Sequence, residues 1–180
     1  MKLEFRLAVD ADAPAIATLL NMAYRGESSR QGWTTEADLL DGLRTDTTEV
    51  LKQLHTPGSH FLLCLESGEL LGCICLEKHG ESAHLGMFAV QPHRQGAGIG
   101  KQLLEFAEQQ AITLWQAMHA EMTVITRRKE LIDYYQRRGY RRTGVLKPFP
   151  MKSSLWAPLV AELQLEVLEK PLQIGDQLYA

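Results

Sequence analysis

The chain has 180 residues, of which 45% are hydrophobic and 23% are charged, and its formal net charge at pH 7 is -3. This length and composition are typical of one globular domain with a real core. A nucleic-acid-binding protein needs a basic surface, so the acidic balance argues against that class. The sequence has no basic segment followed by a long apolar run and no window of about 18 apolar residues, which predicts a cytoplasmic protein that does not act at a membrane.

The first third of the chain predicts one strand followed by helices. Residues Leu3 to Leu7 alternate apolar and charged side chains, as a strand does. A helix capped by Asp10 or Asp12 follows, and its apolar stripe runs to about Tyr24. The further predicted elements are a polar loop from Arg25 to Gly32, a helix from Thr34 or Thr35 to Leu43, and a helix from Thr47 or Thr48 to about Leu54.

The remainder predicts a sheet with two more helices. In order, the expected elements are a hairpin of His60–Leu65 and Leu70–Glu77, a strand Ser82–Val90, a helix from Ile99 to Leu114, a strand Met122–Thr126, a helix within Arg127–Tyr140, and strands Arg141–Val145 and Leu163–Leu168. We assign residues 1–170 to a single domain and residues 171–180 to a C-terminal tail. Cys64, Cys73 and Cys75 form no CxxC pair, so we expect reduced core residues rather than metal ligands or a disulfide.

A glycine-rich turn lies between the strand Ser82–Val90 and the helix that begins at Ile99. Such a loop directs several backbone N–H groups to one point beside the positive end of the helix dipole, which suits a phosphate. The spacing Gly96-x-Gly98-x-Gly100 fits neither the dinucleotide GxGxxG pattern nor the P-loop pattern. The segment Gln95–Gly100 does fit Q/R-x-x-G-x-G/A. The alternative is a tight turn that uses glycine only for its shape.

A second motif, Tyr134-Tyr135-Gln136-Arg137-Arg138-Gly139-Tyr140, follows the glycine loop in the chain. With both motifs in this order, the sequence resembles the GCN5-related N-acetyltransferase (GNAT) superfamily. The resemblance implies an α/β (α+β) GNAT fold, with a mixed, mostly antiparallel sheet of about six to seven strands flanked by about four or five helices. It also implies acetyl-coenzyme A as co-substrate, with its pyrophosphate in the glycine loop, and no need for a metal.

The resemblance also implies roles for individual residues. Backbone groups near Phe88 and Val90 would pair with the pantetheine arm of coenzyme A, as an added strand does. Tyr135 would be the general acid that protonates the leaving thiolate; the alternative is a tyrosine that packs or orients substrate. Tyr134 would direct its ring elsewhere. The implied coenzyme A-binding residues are Phe88, Val90, Gln95, Gly96, Ala97, Gly98, Ile99, Gly100, Lys101 and Tyr135.

The segment Ala83-His84-Leu85-Gly86 is similar to part of the arylalkylamine N-acetyltransferases, in which two active-site histidines lie on this strand. One of these matches His84, whereas the other is Gly86 here. His84 is therefore a candidate general base, because an imidazole titrates near neutral pH. An ordinary polar role for His84 also stays open. The competing candidates for the base are Glu77, Glu81, Glu121 and His119.

Two further regions have expected roles. The basic run Arg127-Arg128-Lys129 either contacts coenzyme A phosphates or, as we expect, forms a solvated helix face. The acceptor pocket should be walled by the segments 25–33 and 149–156 and by the helix predicted to end at Leu43. Trp33, Phe149 and Trp156 would be its apolar walls. Glu27, Glu36 or Asp38 would then hold the amine.

These observations predict an N-acetyltransferase that transfers acetyl from acetyl-coenzyme A to a primary amine of a small molecule or peptide. Direct attack in a ternary complex is expected, because no cysteine lies in either motif to carry the acetyl group. A homodimer is compatible with this interpretation. The alternative is a non-catalytic coenzyme A-binding module that senses acyl donors.

Overall fold

The computed structural model describes residues 2–150 and 153–173, and within them it contains a seven-stranded sheet, a two-stranded sheet and five α-helices. The strands are β1 (Leu3–Leu7), β2 (Leu40–Gly42), β3 (Ser59–Glu66), β4 (Glu69–His79), β5 (Ser82–Val90), β6 (His119–Ile125), β7 (Arg141–Pro148), β8 (Trp156–Pro158) and β9 (Gln164–Pro171). The helices are α1 (Ala13–Tyr24), α2 (Gly26–Ser29), α3 (Thr47–Leu54), α4 (Ile99–Trp115) and α5 (Lys129–Gln136). The predicted fold class is confirmed. Most of the predicted tail 171–180, and residues 151–152 of the predicted acceptor wall, lie outside the described residues.

The large sheet has the strand order β1-β3-β4-β5-β6-β9-β7, and its pairs are antiparallel except for β5 with β6. That parallel pair extends over three positions, from Ser82 opposite His119 to His84 opposite Glu121. Beyond His84 the two strands diverge, so backbone and side chains of both strands face an opening in the middle of the sheet.

The strand β5 carries a bulge just beyond this point. Cys73 of β4 pairs with Ala89 and Cys75 pairs with Gly86, so β5 has one more residue than β4 between the two pairs. Met87 lies within the bulge with a φ of 44°, a left-handed conformation that is rare outside glycine. The bulge therefore redirects the end of β5 beside the opening.

Helices cover both faces of the sheet. On one face Leu103, Leu104 and Ala107 of α4 pack with Leu62 and Ile74 of the sheet. On the other face, the buried residues of α1 and α3 pack with those of β3, β4 and β5; they include Ile16, Leu20, Val50, Phe61, Leu63 and Ala89. Apolar burial on both faces holds the strands rigid, and the opening between β5 and β6 is framed by this rigid layer. No helix among the described residues is long and apolar enough to cross a membrane.

The segment after α1 differs most from the sequence prediction. The expected helix from Thr34 or Thr35 to Leu43 is wrong, because this stretch forms a turn and the short strand β2, which pairs with β8. The strand β8 was not predicted either. At Gly42, φ is +91° and a Cβ would lie 2.3 Å from the Leu155 carbonyl oxygen, so tertiary pairing overrides the helical pattern. The expected loop Arg25–Gly32 contains the one-turn helix α2.

Candidate active site

The glycine loop adopts the conformation that an anion cradle needs. Gly96 and Gly98 have φ values of +87° and +80°, which side chains rarely tolerate, and Gly98 is the N-cap of α4. The first bond of that helix runs from the Gln102 N–H to the Gly98 carbonyl at 3.2 Å. The N–H groups of the preceding first-turn residues therefore have no partner within the helix, and the helix dipole adds positive potential at the same place.

Gln95 fixes this loop through its side chain. Its Oε1 accepts a hydrogen bond from the Trp33 backbone N–H at 2.9 Å. Its Nε2 donates to Thr34 Oγ1 at 2.9 Å and to the Val90 carbonyl at 3.2 Å. The side chain of Gln95 thus joins the glycine loop to β5 and to the segment after α2.

A cavity of about 500 Å³, here called the glycine-loop cavity, opens beside the cradle. Of the ten residues that the family resemblance assigns to coenzyme A, eight lie on its wall: Phe88, Val90, Gln95, Gly96, Gly98, Gly100, Lys101 and Tyr135. The other two do not line it, because Ala97 is exposed and the side chain of Ile99 lies in the core under α4.

Tyr134 also lines this cavity, so the expectation that its ring points elsewhere is wrong. Its ring lies against Trp33 with the centroids 5.1 Å apart, and the guanidinium of Arg138 lies 3.4 Å above it. A Cβ at Gly100 would come within 3.0 Å of Tyr134 Oη, so glycine allows this close approach. No role for Arg138 was predicted from the sequence, although a basic residue inside the second motif is a visible signal.

Tyr135 is buried, and its ring contacts Phe88, Tyr134 and Tyr140 with centroids 6.4, 5.4 and 5.8 Å away. Burial raises the pKa of its phenol well above the ordinary value, and the charge of Arg128 opposes that rise. The hydroxyl therefore stays protonated across the physiological range and can donate a proton.

A second cavity of about 260 Å³, here called the arginine cavity, lies in the opening between β5 and β6. Its wall includes Gly86 to Phe88 of β5, Met122 to Ile125 of β6, and the edge-on pair of Phe149 and Trp156, whose centroids are 5.3 Å apart. The two cavities share four wall residues: Tyr24, Phe88, Leu131 and Tyr135. Tyr24 holds this boundary in place by donating a hydrogen bond to the Phe88 carbonyl.

Charged side chains distinguish the arginine cavity. Glu36 forms ion pairs with Arg25 and, at 3.3 Å, with Nη1 of Arg128. Both arginines are buried, so the expected solvated face is wrong at Arg128, and Arg128 does not line the glycine-loop cavity either. Of the acidic candidates for holding the amine, Glu27 and Asp38 instead pair with Arg30 at the surface.

The three aromatic residues of the predicted acceptor pocket are divided between the cavities. Phe149 and Trp156 line the arginine cavity, as expected. Trp33 lines only the glycine-loop cavity, because the hydrogen bond from its N–H to Gln95 holds it on that side. The predicted pocket is therefore wrong in this residue.

His84 lies outside both cavities, at the end of β5 where that strand is still paired with β6. Its ring covers Gly86 of the arginine cavity, where a Cβ would lie 3.3 Å from His84 Cε1. Burial lowers the pKa of His84, and Glu77, 3.8 Å from Nδ1, opposes this. The competing candidates for the base do not face the cavities either, since none of Glu77, Glu81, Glu121 and His119 lines one of them.

The three cysteines are free and buried, which confirms the prediction of reduced core residues. Burial raises the pKa of Cys64 to about 11 and that of Cys75 to about 12. A thiol is nucleophilic as the thiolate, so these groups are poorly suited to covalent catalysis.

Comparison with known proteins identifies the family. The profile of the Acetyltransferase (GNAT) family matches residues 16–140. An aminoalkylphosphonate N-acetyltransferase of Salmonella typhimurium is 26% identical over 151 residues, which cover 78% of this chain and 86% of that protein.

Two solved structures show the same fold at low sequence identity. The ribosomal-protein-S18-alanine N-acetyltransferase of Escherichia coli has a TM-score of 0.71 at 13% identity, covering 99% of this chain and 100% of that one. The spermidine/spermine N-acetyltransferase of Vibrio cholerae has a TM-score of 0.66 at 15% identity, covering 95% of each chain. These findings do not favour a non-catalytic sensor. The chain belongs to the GNAT acetyltransferase family and is an acyl-coenzyme A-dependent N-acyltransferase.

Proposed function

We propose that this enzyme transfers the acetyl group of acetyl-coenzyme A to a primary amine of a small molecule or peptide, by direct attack while both substrates are bound. The observation that carries the proposal is the shared wall of the two cavities at Tyr24, Phe88, Leu131 and Tyr135. Two substrates that enter separate cavities can meet there in one orientation, which is what direct transfer requires.

The glycine-loop cavity has the chemistry that coenzyme A needs. Its cradle offers backbone N–H groups, and its charged wall residues are Lys101, Arg137 and Arg138 against Glu130. The Arg138 Nε is buried without a partner, which leaves a donor beside the cavity unused. The excess of positive charge would bind the phosphates, and the apolar surfaces of Phe88 and Val90 would hold the pantetheine arm.

Tyr135 is the residue that we place at the chemical step. When bound, acetyl-coenzyme A supplies an activated acetyl thioester, whose C–S bond breaks as the N–C bond of the amide forms. Tyr135 holds a proton at Oη that the departing sulfur can take, and its raised pKa keeps that proton in place until then. Tyr135 lies on the wall that the two cavities share, where the two substrates would meet.

His84 remains our candidate for the base that takes the proton of the amine, acting through water across Gly86. The glycine leaves no side chain between the imidazole and the arginine cavity. The lowered pKa keeps the imidazole neutral near pH 7, and only the neutral form can accept a proton. The buried thiols support direct attack over a covalent acyl-enzyme.

The test combines binding with turnover. Calorimetry should show that acetyl-coenzyme A binds, and a thiol-release assay over a panel of primary amines should show release that depends on the amine. Initial rates with both substrates varied should give intersecting rather than parallel double-reciprocal lines. If acetyl-coenzyme A binds but no amine in the panel is acetylated, the proposal is contradicted. Light scattering tests whether the protein forms a homodimer.

A further inference from the structure

The arginine cavity carries an excess of positive charge. Among its described wall residues, the charged ones are Arg25, Arg44 and Arg128 against the single carboxylate of Glu36. Three guanidinium groups and one carboxylate give these wall residues a net excess of two positive charges. The other wall residues are mostly apolar.

Burial makes this excess costly for the fold. Arg25 is 5% exposed and Arg128 is 7% exposed, and both share Glu36 as their partner. Buried charges are normally paired one to one, and an unpaired one is strongly destabilising. The Arg25 Nε is also buried and has no hydrogen-bond partner. Uncompensated positive charge buried at a wall of the active site points to a ligand that supplies the missing negative charge.

Arg44 is held in position by its backbone rather than by an ion pair. The Oδ1 of Asn21 on α1 accepts hydrogen bonds from the N–H groups of Arg44 at 2.7 Å and Thr45 at 3.3 Å. The Asn21 Nδ2 donates to the Thr45 carbonyl at 2.9 Å. Within residues 2–150 and 153–173, no carboxylate forms a salt bridge with Arg44. Its guanidinium is thus presented at the cavity wall with its charge available.

We propose that the arginine cavity binds an oxyanion of the acceptor, so that the preferred acceptor is a small amine that also carries a carboxylate or a phosphonate. This inference rests on the proposed function. A guanidinium matches both oxyanions through paired hydrogen bonds, while Phe149, Trp156 and Leu165 offer apolar contact to the carbon chain between the two groups.

The same charges select against other amines. A diamine or polyamine brings two or more positive charges into a cavity that already has an excess, so repulsion opposes its binding. A zwitterionic amine neutralises part of the excess through its oxyanion. The positive surroundings also favour the neutral form of its amino group, which is the form that attacks the thioester.

The selectivity can be measured with acceptors of matched length. The probes are 2-aminoethylphosphonate, β-alanine, propylamine and 1,3-diaminopropane in a thiol-release assay at saturating acetyl-coenzyme A. A hydrogen-bonded ion pair predicts that kcat/KM for at least one anionic amine exceeds that for propylamine by about 10- to 100-fold. The diamine should be the poorest acceptor. Equal or better turnover of propylamine or the diamine would overturn the inference. Comparison of the two anionic probes shows whether a phosphonate or a carboxylate is preferred.

Two matched variants locate the effect. Arg44→Gln should reduce the preference for the anionic amine over propylamine by about tenfold, mainly through KM, because one guanidinium contact is lost. Arg127→Gln is the control, since Arg127 is an exposed arginine next to Arg128 in the chain and lines neither cavity. The control should leave the preference unchanged. A preference that survives Arg44→Gln, or falls equally in both variants, would contradict the assignment.

A binding measurement separates this inference from the proposed function. Ethylphosphonate and propionate carry the oxyanion without an amine, so their binding does not depend on catalysis. Calorimetry with the glycine-loop cavity saturated by coenzyme A should detect at least one of them, and Arg44→Gln should weaken that binding. If neither anion binds, the oxyanion site is wrong even if amines are acetylated. If one binds in an Arg44-dependent way but no amine is turned over, the site stands and the proposed function fails.

Discussion

Replacing Tyr135 by phenylalanine removes one hydroxyl from the shared wall of the two cavities and keeps the ring. The contacts of that ring with Phe88, Tyr134 and Tyr140 do not involve the hydroxyl, so packing should be retained. The variant therefore tests proton donation to the leaving thiolate with little change in the free energy of unfolding.

The expected size of the effect follows from general acid catalysis. A positioned acid contributes between about 10² and 10⁴ to the rate, and we expect about 10² because thiolate is a comparatively good leaving group. That factor corresponds to about 2.7 kcal/mol of transition-state stabilisation. Affinity for acetyl-coenzyme A should change little, because the phenol acts on the departing sulfur rather than on the bound nucleotide. Since the pKa of Tyr135 is raised well above 10, its ionisation should cause no loss of activity at mildly alkaline pH.

The assay is kcat from thiol release, paired with calorimetry for acetyl-coenzyme A. The matched control is Tyr134→Phe, because Tyr134 is the neighbouring tyrosine of the same motif and its hydroxyl faces Gly100 in the glycine-loop cavity. Its kcat should fall far less. An unchanged kcat in Tyr135→Phe, or an equal fall in both variants, would refute the assignment of Tyr135 as the acid.

Three further substitutions test the cradle, the acceptor side and the base. Gly98→Glu strains a residue with φ of +80° and adds negative charge at the cradle, so calorimetry should show loss of coenzyme A binding while circular dichroism stays native; undiminished binding would contradict the cradle. Gly42→Ala should raise KM for the amine without weakening coenzyme A binding, because a Cβ there collides with the Leu155 carbonyl in the β2–β8 pair. With His84 as base, kcat/KM should rise with pH through a pKa below about 6.5, since burial lowers the pKa of His84, and His84→Gln should abolish that inflection. An inflection that moves with the pKa of the amine would instead belong to the substrate.

Most of what could be predicted from the sequence comes from local motifs. The order of strand, glycine loop and helix is local, so the cradle at Gly96 and Gly98 and the helix α4 follow from neighbouring residues. Short apolar runs bounded by turn residues likewise predicted the strands β3, β4 and β5 within a few residues of their bounds. These elements depend on short-range periodicity and turn chemistry, which one sequence contains.

The arginine cavity could not be predicted in the same way, because distant segments form it. Glu36 meets Arg25 and Arg128 only after α1, the segment that follows α2, and the N-cap of α5 are packed together. The strand β2 exists because β8 pairs with it, and its local pattern suits a helix equally well. A basic triplet at 127–129 gives no sign that its central member is buried while the residues on each side are exposed.

The hydrogen bonds of Gln95 have a consequence for the order of events during turnover. They tie the glycine loop to Trp33 and Thr34, and the same segment reaches the arginine cavity at Glu36. A pyrophosphate bound in the glycine loop would hold that loop in place, and through Gln95 it would hold the segment from Trp33 to Glu36 that forms part of the acceptor wall. Steady-state kinetics should then follow a compulsory order with the nucleotide entering first and leaving last. In that order, free coenzyme A competes with acetyl-coenzyme A but not with the amine.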